Sequence, residues 1–399
     1  MKSFADFSFH MYTEILFGKG VEARAGEFVR KYGGSRLMLV YGGGSIKKSG
    51  LYERVTGALD AAGIYRAELG GVKPNPRRTF VDEGLRLARE EKIDFLLGVG
   101  GGSSIDTAKA IALGLANEGE YWQFYNGAEA RKMAPLGTIH TIAAAGSETS
   151  CSSVLVDDGN TGMKKGFMWT PCRPLFAIMN PELTYTVSPY QTAAGSADIF
   201  AHTFMRYFSV NDSCLGDEYC EGTFRTVVRY APIAVSKPRD YEARAELMLA
   251  GSFSHNDVNG IGRDAEGRGG EHPLEAQLSG HYDTAHGAGL SVAMPAMLDY
   301  VIKHGTPKQV ARVAQFGVKV FGAALDMDDV AATAADGVRR FRAWLASIGM
   351  PLTLEGLGVP EGDLEDVVRR CMEDNGGLIK GFVPMDAAAV REIYGAVTK

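Results

Sequence analysis

The stretch IDFLLGVGGGSSIDTAKAIALGLA, residues 93–116, restricts the folds open to this chain more than any other. It starts as a short apolar run, passes through consecutive glycines and ends in an uninterrupted helical pattern. A buried strand that enters a helix through a glycine turn is half of a parallel βαβ unit. The same sequence of events occurs upstream, where SRLMLV (35–40) runs into YGGGSIKKSG (41–50) and then the helical LYERVTGALDAAG. IYRAEL reads as a strand and Thr79 to Lys92 as the next helix. VEARAGEFVRKYG is a helix ahead of both, and 134–150 and 174–183 hold further strand candidates. At the N-terminus Phe7, Phe9 and Met11 alternate with Ser8, His10 and Tyr12, the period of an opening strand. Beyond Ser188-Pro189 the periodicity is helical throughout, as in YEARAELMLAGSF and VAATAADGVRRFRAWLASIG. The expectation is an α/β nucleotide-binding domain of parallel βαβ units at 1–187, followed by an all-α domain at 188–399.

Two strand-to-helix junctions carry GGGS, at Gly42, Gly43, Gly44 and Ser45 and at Gly100, Gly101, Gly102 and Ser103. Without Cβ atoms the backbone can approach an anion, and the N–H groups of the following helical turn point at it. Neither is a Walker A loop, because GGGSIKKS lacks the GxxxxGK[ST] spacing. Neither is a full GxGxxG, because Ile105 stands in the third glycine position. Each alone is equally a plain glycine turn. Two in one α/β domain favour a dinucleotide whose halves touch different loops. Asp106 follows on the first helical turns with Lys109, and it can cap N–H groups, face a nicotinamide, or merely complement the helix dipole.

Histidines concentrate in EHPLEAQLSGHYDTAHGAGL (271–290), which holds His272, His281 and His286. On one straight helix His272 and His286 would lie ~21 Å apart. Ser279-Gly280 is a weak helical pair and Asp283-Thr284 offers an N-cap for a new helix near His286, so a corner can join the two imidazoles. Upstream, Asp198 and His202 are spaced i, i+4 and share a helical face, with Cβ atoms ~6 Å apart. One carboxylate and three imidazoles suit a divalent transition metal. Taken singly, such pairs are more often ordinary surface or structural residues.

The net charge of −6, with no dense Lys/Arg run, argues against nucleic acid as a partner. No apolar run reaches the ~18 residues of a membrane helix. Five cysteines, Cys151, Cys172, Cys214, Cys220 and Cys371, form no CxxC pair and leave an odd one, as expected for thiols in a reducing cytoplasm.

In chain order, YGGGSIKKSG, GVKPNP, GVGGGSSIDTAKA, GTIHTIAAAGSE, MKKGF, PELTYTVSPYQTAAGSADIFAH and HYDTAHGAGL resemble the iron-containing (group III) alcohol dehydrogenase family, in particular its butanol-dehydrogenase-like branch. The resemblance spans residues 41 to 290. It implies a metal in the cleft between the two domains and homodimers joined through N-terminal strands. It assigns Asp198, His202, His272 and His286 as metal ligands and Gly100 to Ser103 as the pyrophosphate loop. Thr138, Thr141, Ser147, Ser150 and Lys164 match or adjoin dinucleotide-contacting positions. Two positions depart from the family pattern. Ala276 stands where a histidine usually lies near the nicotinamide, and His281 replaces the tyrosine before the YD pair.

The activity this implies is hydride transfer between a nicotinamide cofactor and a primary alcohol/aldehyde pair, aided by Fe²⁺ or Zn²⁺. NADP(H) is expected over NAD(H). Where NAD-selective relatives place an acid, this chain has Gly42, followed by Ser45, Lys47 and Lys48. With Ala276 unable to carry a proton, His281 is the replacement candidate, if the corner turns it inward. A polyol dehydrogenase, a dehydroquinate-synthase-like lyase and a nucleotide-binding sensor without catalysis are the rival readings.

Overall fold

The computed structural model describes residues 4–399, which divide into two compact units. One comprises His10–Val187 with Arg239–Ser252. The other comprises Ser188–Pro238 and Phe253–Lys399, together with the N-terminal residues up to Phe9. A single cut at 187/188 therefore places residues 4–9 and 239–252 in the wrong unit.

The first unit runs β1 (Glu14–Phe17), α1 (Ala25–Lys31), β2 (Arg36–Tyr41), α2 (Leu51–Ala61), β3 (Tyr65–Gly70), α3 (Arg78–Glu90), β4 (Phe95–Gly100), α4 (Gly102–Ala116), β5 (Leu136–His140), β6 (Ser152–Val156), β7 (Lys164–Met168) and β8 (Phe176–Met179). Six strands form one sheet in the order β1-β8-β5-β4-β2-β3, and every pairing in it is parallel. The apolar run of β2 serves both faces. Leu37, Leu39 and Tyr41 pack with α1 and α2, while Met38 and Val40 pack with α3 and α4. That two-sided burial is why these strands read as continuous hydrophobic runs.

Strand β1 begins later than the N-terminal alternation suggests, since residues 7–11 adopt no strand. Phe4, Phe7 and Phe9 are largely exposed. The Ala5 N–H donates to the Gly262 carbonyl at 2.9 Å, so this segment is held by the helical unit and not by the sheet. The antiparallel pair β6–β7 was not expected from the sequence. Its strands are short and only partly buried, which leaves little alternation to read.

The second unit contains α5 (Pro189–Tyr207), α6 (Cys214–Ser236), the last residues of α7 (Tyr241–His255), α8 (Glu271–Tyr282), α9 (His286–His304), α10 (Pro307–Phe321), α11 (Val330–Ser347), α12 (Leu364–Asp374) and α13 (Ala387–Gly395). Among its described residues, β structure is limited to isolated bridges such as Ser209 with Arg268. Helix α5 starts where Ser188 caps it, accepting from the Gln191 N–H at 3.2 Å, with Pro189 as the first helical residue. It is buried on nearly all sides. Phe200 packs into an aromatic core with Phe224, Phe316 and Phe341, leaving Asp198 and His202 on another face of the helix.

One buried cation ties α4 to the segment before β6. Lys109 has no exposed surface. Its Nζ donates to Ser147 Oγ (3.0 Å), the Ser150 carbonyl (3.0 Å), Ser150 Oγ (3.2 Å) and the Ser152 carbonyl (2.7 Å). Removing it orphans buried acceptors and leaves Asp106 without its neighbouring charge. Lys109→Met is expected to lower unfolding stability by about 3 kcal/mol in urea titrations, with the exposed Lys48→Met within about 0.5 kcal/mol of the parent.

Candidate metal centre and cofactor loops

Asp198 and His202 lie one turn apart on α5, with His202 Nε2 3.4 Å from Asp198 Oδ1. His286, the first residue of α9, places its Nε2 3.8 Å from the same oxygen. His272, second in α8, completes the group. Ligand atoms of Asp198, His202 and His272 all lie within 4.8 Å of one another. The ring centroids of His272 lie 4.9 Å from His202 and 5.4 Å from His286. His272 Nε2 is buried with no hydrogen-bond partner. Burial above all, then the neighbouring His255, His272, Arg206 and His286, holds His202 well below the usual imidazole pKa. Its ring is therefore neutral and offers a lone pair. Buried donors that face one point without protons to share suit a divalent cation.

The helices approach because of one residue. A Cβ on Gly287 would collide with the Ala194 carbonyl oxygen. Only glycine lets α9 cross α5 at that distance, beside His286 and one turn before Asp198. The corner between His272 and His286 is also present, but it lies elsewhere than expected. Helix α8 continues through Ser279-Gly280 and stops at Asp283, whose φ of 52° is left-handed. Asp tolerates that conformation better than most residues. Thr284 does not cap α9. The N-cap position is Ala285, without a side-chain bond.

Three residues outside the expected set support the histidines. Glu271 Oε1 lies 2.8 Å from His272 Nδ1, and Glu275 Oε2 contacts His286 Nδ1. Both carboxylates are fully buried. A carboxylate at Nδ1 favours the tautomer with its proton there and directs the Nε2 lone pair inward. Room for Glu275 comes from Gly289, where a Cβ would come within 2.7 Å of the Glu275 side chain. His202 Nδ1 has no such partner. Its ring is instead covered by His255, stacked at 4.0 Å and 20°. The i, i+4 pair Glu271 and Glu275 was a readable signal on a helix. His255 had none, because it comes from α7.

His281 does not join the centre. Nine residues after His272 on an unbroken helix, it sits ~13 Å further along and on the opposite face. It is exposed, edge-on to Tyr282 at 4.8 Å. Ala276 lies one turn after His272 and is partly exposed.

In the α/β unit, chain connections run outward from β2 to β3 and then return across β2 to β4. The switch point is thus between β2 and β4, and the two GGGS loops leave the carboxyl ends of those neighbouring strands. Helix α4 begins at Gly102 with no side-chain cap, so its first N–H groups are left for an anion. Gly100 has φ 150°, and a Cβ there would meet Ser104 Oγ at 2.7 Å. Thr141 is beside this loop, its N–H donating to the Gly100 carbonyl at 3.0 Å. Lys164 opens β7, partly exposed. Lys47 is exposed, its Nζ 5.5 Å above the ring of Tyr41 and 4.9 Å above that of Tyr52.

Several expected contacts point inward instead. Thr138 is fully buried and donates to the Phe176 carbonyl at 3.3 Å. Ser147 and Ser150 are buried acceptors for Lys109. Asp106 accepts from Ser147 Oγ at 2.6 Å and from the Val154 N–H at 3.0 Å, so it neither caps its helix nor faces a ligand. Desolvation raises its carboxyl pKa, opposed by Lys109 and Ser147. These side chains shape the loop from behind.

A doubly wound sheet with glycine loops at its switch point, ahead of a helical unit bearing this cluster, is the layout of a metal-dependent dehydrogenase. The chain belongs to the iron-containing alcohol dehydrogenase family, and so to the alcohol/aldehyde oxidoreductases. The family model for iron-containing alcohol dehydrogenase matches residues 13–181, and that for the family's C-terminal region matches 192–398. The chain is 37% identical to NADH-dependent butanol dehydrogenase A of Clostridium acetobutylicum, over 97% of this chain and 98% of that one. It is 31% identical to the NADPH-dependent aldehyde reductase YqhD of Escherichia coli, covering 93% and 94%. The crystal structure of NADH-dependent butanol dehydrogenase A from Thermotoga maritima superposes with a TM-score of 0.93 at 33% identity, covering 100% of both chains.

The helix crossing provides a paired test. Gly287→Ala should destabilise the protein by more than about 2 kcal/mol, as overpacking against rigid backbone does. Gly280→Ala, a helical site with open space around it, should be neutral or stabilise by up to ~1 kcal/mol. Chemical denaturation of both variants reads the difference.

Proposed function

We propose that the protein catalyses reversible, metal-dependent hydride transfer between NADP(H) and a primary alcohol/aldehyde pair. The observation that carries this reading is the convergence of Asp198 Oδ1 with Nε2 of His202 and His286 and the orphaned Nε2 of His272. Its support from relatives is that several are named as butanol dehydrogenases and one as an aldehyde reductase. When bound, Fe²⁺ or Zn²⁺ supplies Lewis acidity toward the substrate oxygen. Asp198, His202, His272 and His286 hold it, with Glu271 and Glu275 fixing two imidazoles and the His255 ring the third. Gly100 to Ser103 and the first N–H groups of α4 take the pyrophosphate. The proton exchanged with solvent uses neither residue 276, an alanine, nor the outward-facing His281.

The preference for NADP(H) rests on this chain's own residues, because its relatives are mixed: the Clostridium enzyme is named NADH-dependent and the Escherichia one NADPH-dependent. No acid follows β2. Glu68, on the neighbouring β3, accepts from the Tyr41 hydroxyl (3.0 Å) and the Tyr52 hydroxyl (2.6 Å). Ser45 and the Lys47 ammonium are then the groups a 2′-phosphate meets. A homodimer that covers the exposed Phe7 and Phe9, and a reducing cytoplasm for five cysteines outside any disulfide, complete the reading. No described helix is long and apolar enough to cross a membrane.

Alanine at Asp198, His202, His272 or His286 should abolish stoichiometric metal content while leaving dinucleotide affinity within about twofold. Elemental analysis and fluorescence titration read the two quantities, and a variant that keeps its metal removes that residue from the ligand set. His255→Ala should weaken metal affinity about tenfold in chelator competition, an effect typical of outer-shell residues, and His255→Phe should restore it.

For the cofactor, kcat/KM with NADPH should exceed that with NADH at least about tenfold, a difference of ~1.4 kcal/mol. Lys47→Met should erode the NADPH value alone. A preference for NADH would reject the 2′-phosphate assignment.

A further inference from the structure

The helical unit carries a half-open cleft of about 400 Å³ that His272 borders. Its volume falls among those of small-molecule sites. Met205, Pro273 and Leu378 supply apolar wall, while Arg268 and Lys380 supply two cations. Two acids also reach it. Glu271 directs its carboxylate to His272 Nδ1, and Glu266 is exposed to solvent.

Arg268 is partly buried and differs from the fully buried arginines of this unit. Arg206 pairs with Asp257, and both Arg263 and Arg312 pair with Asp217. Among the described residues, neither Arg268 nor Lys380 has a carboxylate within ion-pair distance. Arg268 Nη2 donates to the carbonyls of Gly260 (3.0 Å) and Arg263 (2.8 Å). Its Nε is buried without a partner. The guanidinium lies flat on Gly260, where a Cβ would come within 2.8 Å of Nη2. Burial lowers its pKa to about 10, which still leaves a cation at neutral pH. The carboxylates of Asp257 and Asp264 favour its charge without touching it, and a largely desolvated cation without a contact ion pair is costly unless a ligand lies against it.

We propose that Arg268 and Lys380 receive the anionic tail of the substrate, so that the preferred class is short ω-oxo and ω-hydroxy acids, with carboxylate or sulfonate ends, over neutral aldehydes and alcohols. This rests on the hydride-transfer reading above. In reduction, hydride from the nicotinamide C4 adds to the aldehyde carbon, the carbonyl oxygen gains a proton, and the tail is unchanged. Arg presents a planar fork suited to such oxyanions, and Lys380 adds a second charge. The apolar wall accommodates the intervening methylenes.

The test is calorimetric binding of 4-hydroxybutanoate, 3-hydroxypropane-1-sulfonate and 1-butanol to the metal-loaded protein, which needs no turnover. At least one anion should bind tenfold or more tightly than 1-butanol, and the stronger of the two identifies the tail. Lys380→Met, at an exposed position, should remove most of that advantage and leave 1-butanol within twofold. Arg268→Met should do the same, but Arg268 also holds two backbone carbonyls, so Lys380→Met is the variant free of a folding effect. Equal affinities for the three ligands, or an unchanged anion preference in Lys380→Met, overturns the proposal. Reduction of butanal and 4-oxobutanoate, followed in parallel, separates the two readings. Butanal turnover without anion selectivity sinks the tail site alone, and selective anion binding with no reduction of either aldehyde sinks the dehydrogenase alone.

Discussion

Helix α9 touches helix α5 backbone to backbone, at Gly287 against the Ala194 carbonyl, with no space for even a methyl group. The candidate centre depends on that contact. Asp198 and His202 follow Ala194 by one and two turns, and His286 immediately precedes Gly287. Glycine therefore places an imidazole from one helix beside a carboxylate and an imidazole from another. The third imidazole arrives on α8, which ends at left-handed Asp283 just before α9 begins. Dense packing makes such a site sensitive to volume changes well away from the donors themselves.

The same compactness has an electrostatic cost. Asp198, Glu271 and Glu275 are three carboxylates buried near one another among imidazoles. Like charges in a low-dielectric interior repel unless something positive lies among them. Two of the carboxylates grip histidine Nδ1 atoms, which leaves the inward Nε2 positions as lone-pair donors. A divalent cation at their focus would offset most of that negative charge. Helix α5 meets this arrangement with a polar face, while its Phe200 side carries the aromatic core.

In the α/β unit the chemistry is delegated to backbone. Hydroxyl and carboxylate groups near the glycine loop, those of Thr138, Ser147, Ser150 and Asp106, are engaged internally with Lys109, Val154 and Phe176. They stiffen the loop from behind, and the N–H groups at the start of α4 stay open. Strand order explains the location. Parallel strands whose crossovers diverge at β2 and β4 leave a crevice at their carboxyl ends, and both GGGS turns open there.

Much of this was legible in the sequence because its signals are local. Apolar runs buried on both faces mark parallel strands, glycine runs mark the strand-to-helix turns, and the i, i+4 spacing puts Asp198 and His202 on one face by helical period alone. The need for a corner between His272 and His286 also followed from helix rise. What remained hidden depends on contacts distant in sequence. Whether Ser279-Gly280 or Asp283 breaks the helix is decided by packing, which overrides weak propensity at Gly280. His281 faces outward only because that helix stays unbroken. His255 meets His202 from 53 residues away, and Arg268 has no contact ion pair while nearby Asp257 pairs with Arg206 and Glu271 with His272. Periodicity along a chain states which face a residue shares. Only the tertiary structure decides what lies opposite that face, because the opposing atoms come from other segments.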